Sequence, residues 1–467
     1  MKTGYFELGE AKGMCYIVIS LAFVLLFLFS GILRYKRKKI RLRKKFSMTE
    51  FFLYASVFSG VLTLIYSVDK TTAFLGMDGW RCGFLTCMLA VFFAIMYSYF
   101  SQANLLVVLL VLLVPFAEFI LCIIGRFGIY PFEIYGQASS FVATLGNINW
   151  YSGFLSVFVP LGVGIMYIKR PFSTYFYLGG IYTVTGLVAL FLQGSDGAIL
   201  ILAATYIFLL ISSLSDREYF KSFVLQLGVL GIAMTITDVL MLFFGAHYTY
   251  DANLLLGVCQ RHIGEIILAA SFFVYRINRL CEEIKVEWHK KAYTIAAVSM
   301  LLAAAAAGLA LVVINFDDSF GNGRGIIWQI GASMFLGLSP WQKVVGVGQD
   351  CFYSYAMSST YWSELFSKLF GSNMLTNAHN ELLTVLVERG ILGALIHLGL
   401  FGSAVVELFK AKEKESIAIV YALPIISYFA FNLASFAQPT STPYVYICIG
   451  FGIATIKNAL KVSYQEF

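Results

Sequence analysis

One stretch of the chain, residues 321–393, gathers the side chains best suited to chemistry, His379, Arg324 and Arg389, among several glycines. A histidine near neutral pH can remove a proton from a hydroxyl group. An arginine presents a planar, permanently charged fork that matches phosphate oxygens. Sugar transfer from a lipid diphosphate needs both devices, because the acceptor must lose a proton and the leaving diphosphate must be neutralised.

Polar neighbours strengthen this interpretation of His379. Asn380 and Glu381 follow it directly, and a general base needs partners that orient it. We predict that the amide side chains of Gln349, Asn380 and Asn149 bind substrate.

The sequence signals neither a metal site nor a cofactor. The chain has 8 cysteines but no Cys-x-x-Cys pair, and no outer-loop cluster of His, Asp and Glu has convincing ligand spacing. The cysteines are expected to be small buried hydrophobic residues. A disulfide among Cys82, Cys259 and Cys351 stays open at this point.

Composition indicates what must position these residues. The chain of 467 residues is 59% hydrophobic and only 13% charged, which excludes a soluble enzyme. Thirteen apolar runs recur along its length, and each is expected to cross a bilayer as a helix. The predicted fold is therefore all-α: a polytopic transmembrane bundle of about 12–13 spans with one large extracytoplasmic loop.

The predicted organisation has four parts. They are an extra N-terminal helix with a basic cytoplasmic loop (1–46), a transmembrane bundle (47–314), an extracytoplasmic catalytic loop (315–390) and C-terminal transmembrane helices (391–467).

Charge distribution predicts the orientation. The net charge is +7, but the basic residues flank apolar runs, which argues against a nucleic-acid partner. With the basic cluster 34–45 inside, 23 of the 33 lysines and arginines fall on the cytoplasmic side. We therefore expect a multi-pass protein of the cytoplasmic membrane with its active site on the extracytoplasmic face. Within the spans, the acids Glu118, Asp238 and Glu265 are functional candidates by position.

An ordered set of short motifs resembles the superfamily of O-antigen ligases and O-antigen polymerases, which are membrane glycosyltransferases. The motifs are a Gly-Arg followed by Trp at 323–328, a Gly-x-Gly at 346–348, a His-Asn-Glu-Leu-Leu at 379–383 and a Glu-Arg-Gly-Ile-Leu-Gly at 388–393. A Gly-Asn-x-Asn lies upstream at 146–149. The resemblance covers about residues 50–456.

This resemblance implies a GT-C-like fold and metal-independent transfer from an undecaprenyl-diphosphate-linked glycan donor to a glycan or lipid-glycan acceptor. It makes His379 the base and Arg324 and Arg389 the diphosphate ligands, with membrane lipid and other polysaccharide-assembly proteins as partners. The family often carries Ser-Arg-Gly where this chain has Asp196. We expect Arg261 to substitute for that arginine, or Asp196 to contact the sugar.

Two other interpretations remain at this stage. One is another lipid-linked glycosyltransferase with an acidic base such as Asp317 or Asp318. The other is a transporter or a flippase for lipid-linked oligosaccharides, which would be expected to line an internal cavity with charge. Polymerase and ligase activity share these motifs, so the sequence does not separate them.

Overall fold

The structure, a computed structural model, describes residues 5–36, 46–99, 105–131, 141–314 and 316–465. The described chain is helical, with one isolated β-bridge between Val142 and Gly146. Its helices are α1 (Tyr5–Lys36), α2 (Met48–Ile65), α3 (Lys70–Leu75), α4 (Phe84–Tyr99), α5 (Leu105–Arg126), α6 (Ile148–Ile168), α7 (Thr174–Leu192), α8 (Ala198–Ser213), α9 (Arg217–Phe244), α10 (Leu254–Cys259), α11 (Ile263–Glu283), α12 (Lys290–Ile314), α13 (Phe320–Gly337), α14 (Pro340–Val345), α15 (Phe352–Met357), α16 (Thr360–Phe370), α17 (Glu381–Ala411), α18 (Ile417–Asn432) and α19 (Thr442–Gln465).

Each of the thirteen predicted apolar runs coincides with a helix, which confirms the all-α class. Among the described residues, six helical segments are long and apolar enough to cross a membrane. They are Glu7–Ser30, Met48–Ile65, Ile148–Ile168, Thr174–Leu192, Arg217–His247 and Glu381–Ala411. Three apolar helices are shorter: α4, α8 and α18. The full count of 12–13 spans stays a prediction.

Polar side chains fix where several helices begin. Ser47 accepts a hydrogen bond from the Glu50 amide, while the Glu50 carboxylate accepts one from the Ser47 amide, forming a capping box at α2. Asn147 and Asp216 cap α6 and α9 through their side-chain oxygens.

The chain divides into two compact units. Unit 1 comprises Met1–Ser101, Ile327–Glu407 and Asn432–Phe467. Within it α19 lies against α4, where a Cβ at Gly450 would come 2.5 Å from the carbonyl oxygen of Ala94. Glycine allows two helices to pack this closely, and small residues of this kind are common where helices pack within a membrane.

Unit 1 also shows the kind of surface that lipid covers. The α1 side chains Ile19 and Leu25 are 68% and 67% exposed, while Phe27 packs edge-on against Phe92 of α4. Exposed leucines and isoleucines along a helix of spanning length are expected in a membrane-embedded protein.

Unit 2 comprises Gln102–Ile326 and Leu408–Phe431. Helices α9 and α11 pack closely in this unit, because a Cβ at Gly231 would come 2.7 Å from the carbonyl oxygen of Gly264. Glu118 of α5 is buried here and accepts hydrogen bonds from the backbone amide and the hydroxyl of Thr144, so this acid secures a neighbouring segment.

Most of the predicted basic loop, residues 37–45, lies outside the described residues. The predicted catalytic loop 315–390 contains helices α13–α16 and the first turns of α17, so it is a folded segment. All 8 cysteines are free, so the disulfide considered above is not formed.

Candidate active site

A break in helix α17 of unit 1 builds the scaffold of the candidate site. Gly390 has φ 64° and ψ −171°, which interrupts the helix in its third turn. A Cβ on Gly390 would come 2.3 Å from the carbonyl oxygen of Val344, and one on Gly346 would come 2.0 Å from that of Glu388. Only glycine fits such backbone contact at positive φ, which explains the Gly-x-Gly and Glu-Arg-Gly motifs.

The break frees two carbonyl groups that a continuous helix would use internally. The amide of Val347 donates to the carbonyl oxygen of Val387 at 3.1 Å, and the amide of Gly348 donates to that of Glu388 at 3.0 Å. Two distant stretches of the chain are therefore joined backbone to backbone just before Asp350.

Asp350 is buried and lies in the left-handed region at φ 57°. Its Oδ2 accepts hydrogen bonds from the amides of Met77 at 2.7 Å and Cys82 at 3.1 Å. Burial raises the pKa of Asp350 to about 7, and the negative charge of Glu381 adds to this; the two amide donors and Arg81 oppose it. A non-glycine residue held at positive φ in a buried polar setting is typical of functional sites.

The loop that holds Asp350 is itself secured by Arg81, another left-handed residue at φ 52°. The Arg81 guanidinium forms ion pairs with Glu10 at 2.6 Å and Asp78 at 2.7 Å, and Glu10 also accepts from the amide of Gly79 at 2.8 Å. The Arg81 guanidinium is therefore paired with two carboxylates.

Two more carboxyl groups lie beside Asp350. Glu381, at the start of α17, accepts a hydrogen bond from the amide of Ala437 at 2.7 Å, and Glu388 accepts one from the side chain of Gln349 at 3.4 Å. All three acids border one cavity of about 30 Å³, which can hold one or two water molecules. Its lining consists of Trp80, Cys82, Gln349, Asp350, Thr376, Asn377, Glu381, Thr384, Glu388, Phe436 and Ala437.

His379 lies beside this cavity in the left-handed region at φ 47°. Its amide donates to the side-chain oxygen of Asn377 at 3.0 Å, and its carbonyl oxygen accepts from the Trp328 indole at 3.4 Å. The imidazole packs edge-on against Phe436, with ring centroids 5.2 Å apart. Backbone and ring are thus held by separate neighbours, and the side chain is half-buried.

Asn380 has a structural role at the start of α17. Its Oδ1 accepts from the amide of Leu383 at 3.1 Å, which caps α17, and its Nδ2 donates to the carbonyl oxygen of Leu433 at 2.8 Å. These contacts fix the residue that follows His379. Its predicted role in substrate binding stays a prediction.

Arg389 is buried in unit 1. One terminal nitrogen donates to the carbonyl oxygen of Ser56 and to the hydroxyl of Ser59, both at 3.3 Å. Its Nε is shielded from solvent and has no hydrogen-bond partner among the described residues. A buried donor of this kind calls for a partner, because leaving it unpaired is costly.

Arg324 belongs to unit 2. It follows three consecutive left-handed residues, 321–323, and donates to the carbonyl oxygen of Gly321 at 2.7 Å. Burial lowers its pKa, while the charge of Asp196 opposes that effect. Asp196 itself accepts from the amide of Leu254 at 3.0 Å at the start of α10, so it stabilises a helix end and lies in electrostatic range of Arg324.

The remaining predicted residues are also in unit 2. Arg261 is exposed in the turn between α10 and α11, and Asn149 is half-buried in the first turn of α6 beside the cap residue Asn147. Arg126 is also in unit 2; it is buried, donates to the carbonyl oxygen of Gln193 and stacks 4.5 Å from the Tyr250 ring centroid.

The structure therefore brings His379, Asn380 and Gln349 into one region of unit 1. The positive charge of Arg389 in the same unit acts on the carboxyl group of Glu381. Arg324, Arg261 and Asn149 lie in the other unit. Sequence reasoning missed Asp350 and Glu388 as site residues. A signal was present in the sequence, because Asp350 lies two residues after Gly348 and Glu388 lies two residues before Gly390, within the glycine motifs.

No protein-family model matches this sequence. No curated protein matches it either. The fold and its exposed apolar helices define a membrane-embedded helical protein.

Proposed function

We propose that this protein is an integral membrane glycosyltransferase that polymerises or ligates a surface polysaccharide from an undecaprenyl-diphosphate-linked donor. The observation that carries the proposal is the strained, half-buried His379, held beside a buried polar cavity at the break of α17. The resemblance of the ordered motifs to O-antigen ligases and polymerases supports it.

In this mechanism His379 removes the proton from the acceptor hydroxyl. The oxygen then attacks the anomeric carbon of the donor sugar, the bond to the diphosphate breaks, and the lipid diphosphate leaves. Imidazole is suited to the first step because its ordinary pKa lies near neutrality.

Arginines would stabilise the leaving diphosphate. Arg389 has a buried Nε without a hydrogen-bond partner among the described residues, so it has donor capacity to offer an anion. Arg324 lies in a glycine-rich turn that leaves room for a ligand, since a Cβ on Gly323 would contact nothing within 4 Å. A guanidinium is suited to this role because it can bind phosphate oxygens through charge-assisted hydrogen bonds.

The cavity formed by Asp350, Glu381 and Glu388 suits a different part of the reaction. Three acidic groups would repel a diphosphate, but they can accept hydrogen bonds from hydroxyl groups. The cavity of about 30 Å³ has room for one or two groups the size of water, so we assign to it a single hydroxyl group of the acceptor and not a whole sugar ring. The burial that raises the pKa of Asp350 also makes it the strongest candidate for an acidic base if His379 does not fill that role.

The direct test is deletion followed by complementation, with the envelope glycan examined by gel. Loss of a polymer ladder with single units still attached would identify a polymerase, whereas accumulation of carrier-linked polymer would identify a ligase. Wild-type protein and His247→Ala, a change at an exposed histidine, should restore the glycan, and His379→Ala should not. An unchanged glycan after deletion would contradict the proposal.

A transporter is the second candidate function. Three buried carboxyl groups around one cavity are the kind of feature that proton-coupled transport uses. Purified protein in nanodiscs separates the two, because a glycosyltransferase forms product without a second compartment and a transporter does not.

A further inference from the structure

Three side chains outside the candidate active site converge between two helices of unit 2. Asp238 lies near the end of α9, His262 directly precedes α11, and Glu265 is in the first turn of α11. The Nδ1 atom of His262 is 2.9 Å from a carboxylate oxygen of Asp238 and 3.6 Å from one of Glu265. One donor atom from each residue lies within 4.8 Å of both others.

Nitrogen and oxygen ligands lie about 2.0–2.2 Å from zinc, so neighbouring ligands of a tetrahedral ion are about 3.3–3.6 Å apart. The separation of 3.6 Å between His262 and Glu265 falls in this range, whereas the 2.9 Å between His262 and Asp238 is a hydrogen-bond distance that would lengthen around an ion. Among the described residues this is the one group of three or more His, Cys, Asp or Glu whose ligand atoms all lie within 4.8 Å of one another.

A second observation separates this cluster from a simple ion pair. The Oε2 atom of Glu265 is shielded from solvent and accepts no hydrogen bond from the described residues. His262 contacts the other oxygen of Glu265, at 3.6 Å, which is too long for a good hydrogen bond. The Glu265 side chain as a whole is 42% exposed, but this one oxygen lacks a donor, and a cation between the three groups would supply a partner for it.

The backbone beneath the cluster is closely packed. A Cβ on Gly264 would come 2.7 Å from both the Met234 Cβ and the Thr235 amide nitrogen, so α9 and α11 approach through glycine one turn from Asp238. His262 has φ 58°, which turns the chain sharply into α11. The three ligands are therefore carried on two helices whose spacing is set independently of any ion.

We propose that Asp238, His262 and Glu265 bind one divalent transition-metal ion of the zinc type, which links α9 to α11. An imidazole with two carboxylates favours zinc or manganese over magnesium and calcium, which prefer all-oxygen sites. Water completes the coordination. The proposal rests on contacts within unit 2 that the proposed function does not use, so it stands or falls independently of that function.

The test measures Zn²⁺ binding to purified full-length protein in nanodiscs by isothermal titration calorimetry. The protein carries Cys15→Ser, because Cys15 is exposed and could bind zinc by itself. We expect one Zn²⁺ per chain, displaced by chelator, and a thermal unfolding midpoint that rises with Zn²⁺ and not with Mg²⁺ or Ca²⁺.

Three conservative variants probe the ligands: Asp238→Asn, Glu265→Gln and His262→Asn. Asparagine is chosen for His262 because it tolerates positive φ. Each should weaken Zn²⁺ binding by about 100-fold or more, since even outer-shell partners contribute 10–100-fold.

The matched controls, His247→Ala and Asp251→Asn, change exposed groups of the same unit and should bind like the parent. Absence of Zn²⁺ binding in the parent would overturn the proposal. Equal binding by all three ligand variants would also overturn it, because the ion would then lie elsewhere.

Discussion

His379 combines an uncommon backbone conformation with a partly exposed imidazole, so its replacement must respect both. We predict that His379→Asn and His379→Gln lower turnover by about 10²–10⁴, the usual contribution of a general base, while binding of the lipid-linked donor stays nearly intact. Asparagine tolerates the left-handed conformation, so the fold should survive. Single-turnover kinetics and donor titration on purified protein measure the two effects separately.

The same pair of variants tests a purely structural role. If His379 only shapes the start of α17, either amide can replace its hydrogen bonds, and transfer should continue at near the wild-type rate. That result at equal protein levels would show that His379 is not the general base, and Asp350 would become the next candidate for that role.

Asp350 makes a prediction about pH. Its pKa is raised to about 7 in the folded protein against about 3.9 in an unfolded chain, so the fold holds this proton more tightly. Its contribution to stability is complete below about pH 4 and is lost as pH rises through 7. Asp350→Asn keeps an oxygen that can accept from Met77 and Cys82, so it should raise the unfolding midpoint near pH 8 by a few °C and reduce the decline between pH 5 and pH 8.

Differential scanning fluorimetry across this pH range provides the measurement. Asp251→Asn, at an exposed position, is the control and should follow the wild-type curve. Parallel curves for Asp350→Asn and wild type would show that Asp350 is ionised in the fold at all of these pH values.

At the scale of elements, the contact between Gly346 and the broken helix α17 should be intolerant of any side chain. Gly390→Ala and Gly346→Ala each place a Cβ within 2.3 Å of a carbonyl oxygen and retain a positive φ. We expect each to cost at least 1–3 kcal/mol of stability, with less folded protein recovered. Thermal unfolding and size-exclusion chromatography measure both effects.

Gly402, in the same helix, supplies the control. It has no atoms within 4 Å of its Cβ position, so Gly402→Ala should be neutral or stabilising by about 0.5–1 kcal/mol. Equal behaviour of all three alanine variants would contradict the account of the helix break.

The helices could be predicted from the sequence because apolar runs of spanning length have one stable backbone arrangement in lipid. The helices found within 315–390 were not predicted, since α14 and α15 have only 6 residues each and are defined by caps and turns. Short elements of this kind depend on local polar contacts that carry no periodic signal.

Much of the candidate site was beyond sequence reasoning for a related reason. His379 could be singled out by its type and neighbours. The burial of Arg389 against Ser56 and Ser59, and the capture of Asp350 by amides of Met77 and Cys82, both join residues about 270 or more positions apart. Only the folded chain reveals such partners.

For the whole molecule, orientation is the first prediction. Residues 315–390 should face away from the cytoplasm, because basic residues concentrate on the other side of the predicted spans. A cysteine introduced by Ser358→Cys, at an exposed position, should react with a membrane-impermeant thiol reagent in intact spheroplasts in a Cys15→Ser background.

The opposite face offers a matched control. Ser416 is exposed between α17 and α18 in a region predicted to be cytoplasmic, so Ser416→Cys should react only after the membrane is opened. Reversal of the two labelling patterns would invert the topology.

A second prediction for the whole molecule concerns metal removal. We expect purified protein to keep transferring sugar in excess chelator, because arginines can neutralise the diphosphate. If the zinc-type site is occupied, the same treatment should lower the unfolding midpoint without abolishing transfer. Activity that disappears with chelator and returns with magnesium would contradict metal-independent transfer.

The paired amides and carbonyls at 347–348 and 387–388 have a consequence for how such proteins diversify. These hydrogen bonds hold the two ends of the intervening segment 349–386 side by side. Asp350, Asn380 and Glu381 tie the two ends of this segment to Met77, Leu433 and Ala437, whereas helix α16 in its middle buries only Phe366. Changes of sequence or length confined to α16 should therefore leave the junction and the cavity beside it undisturbed.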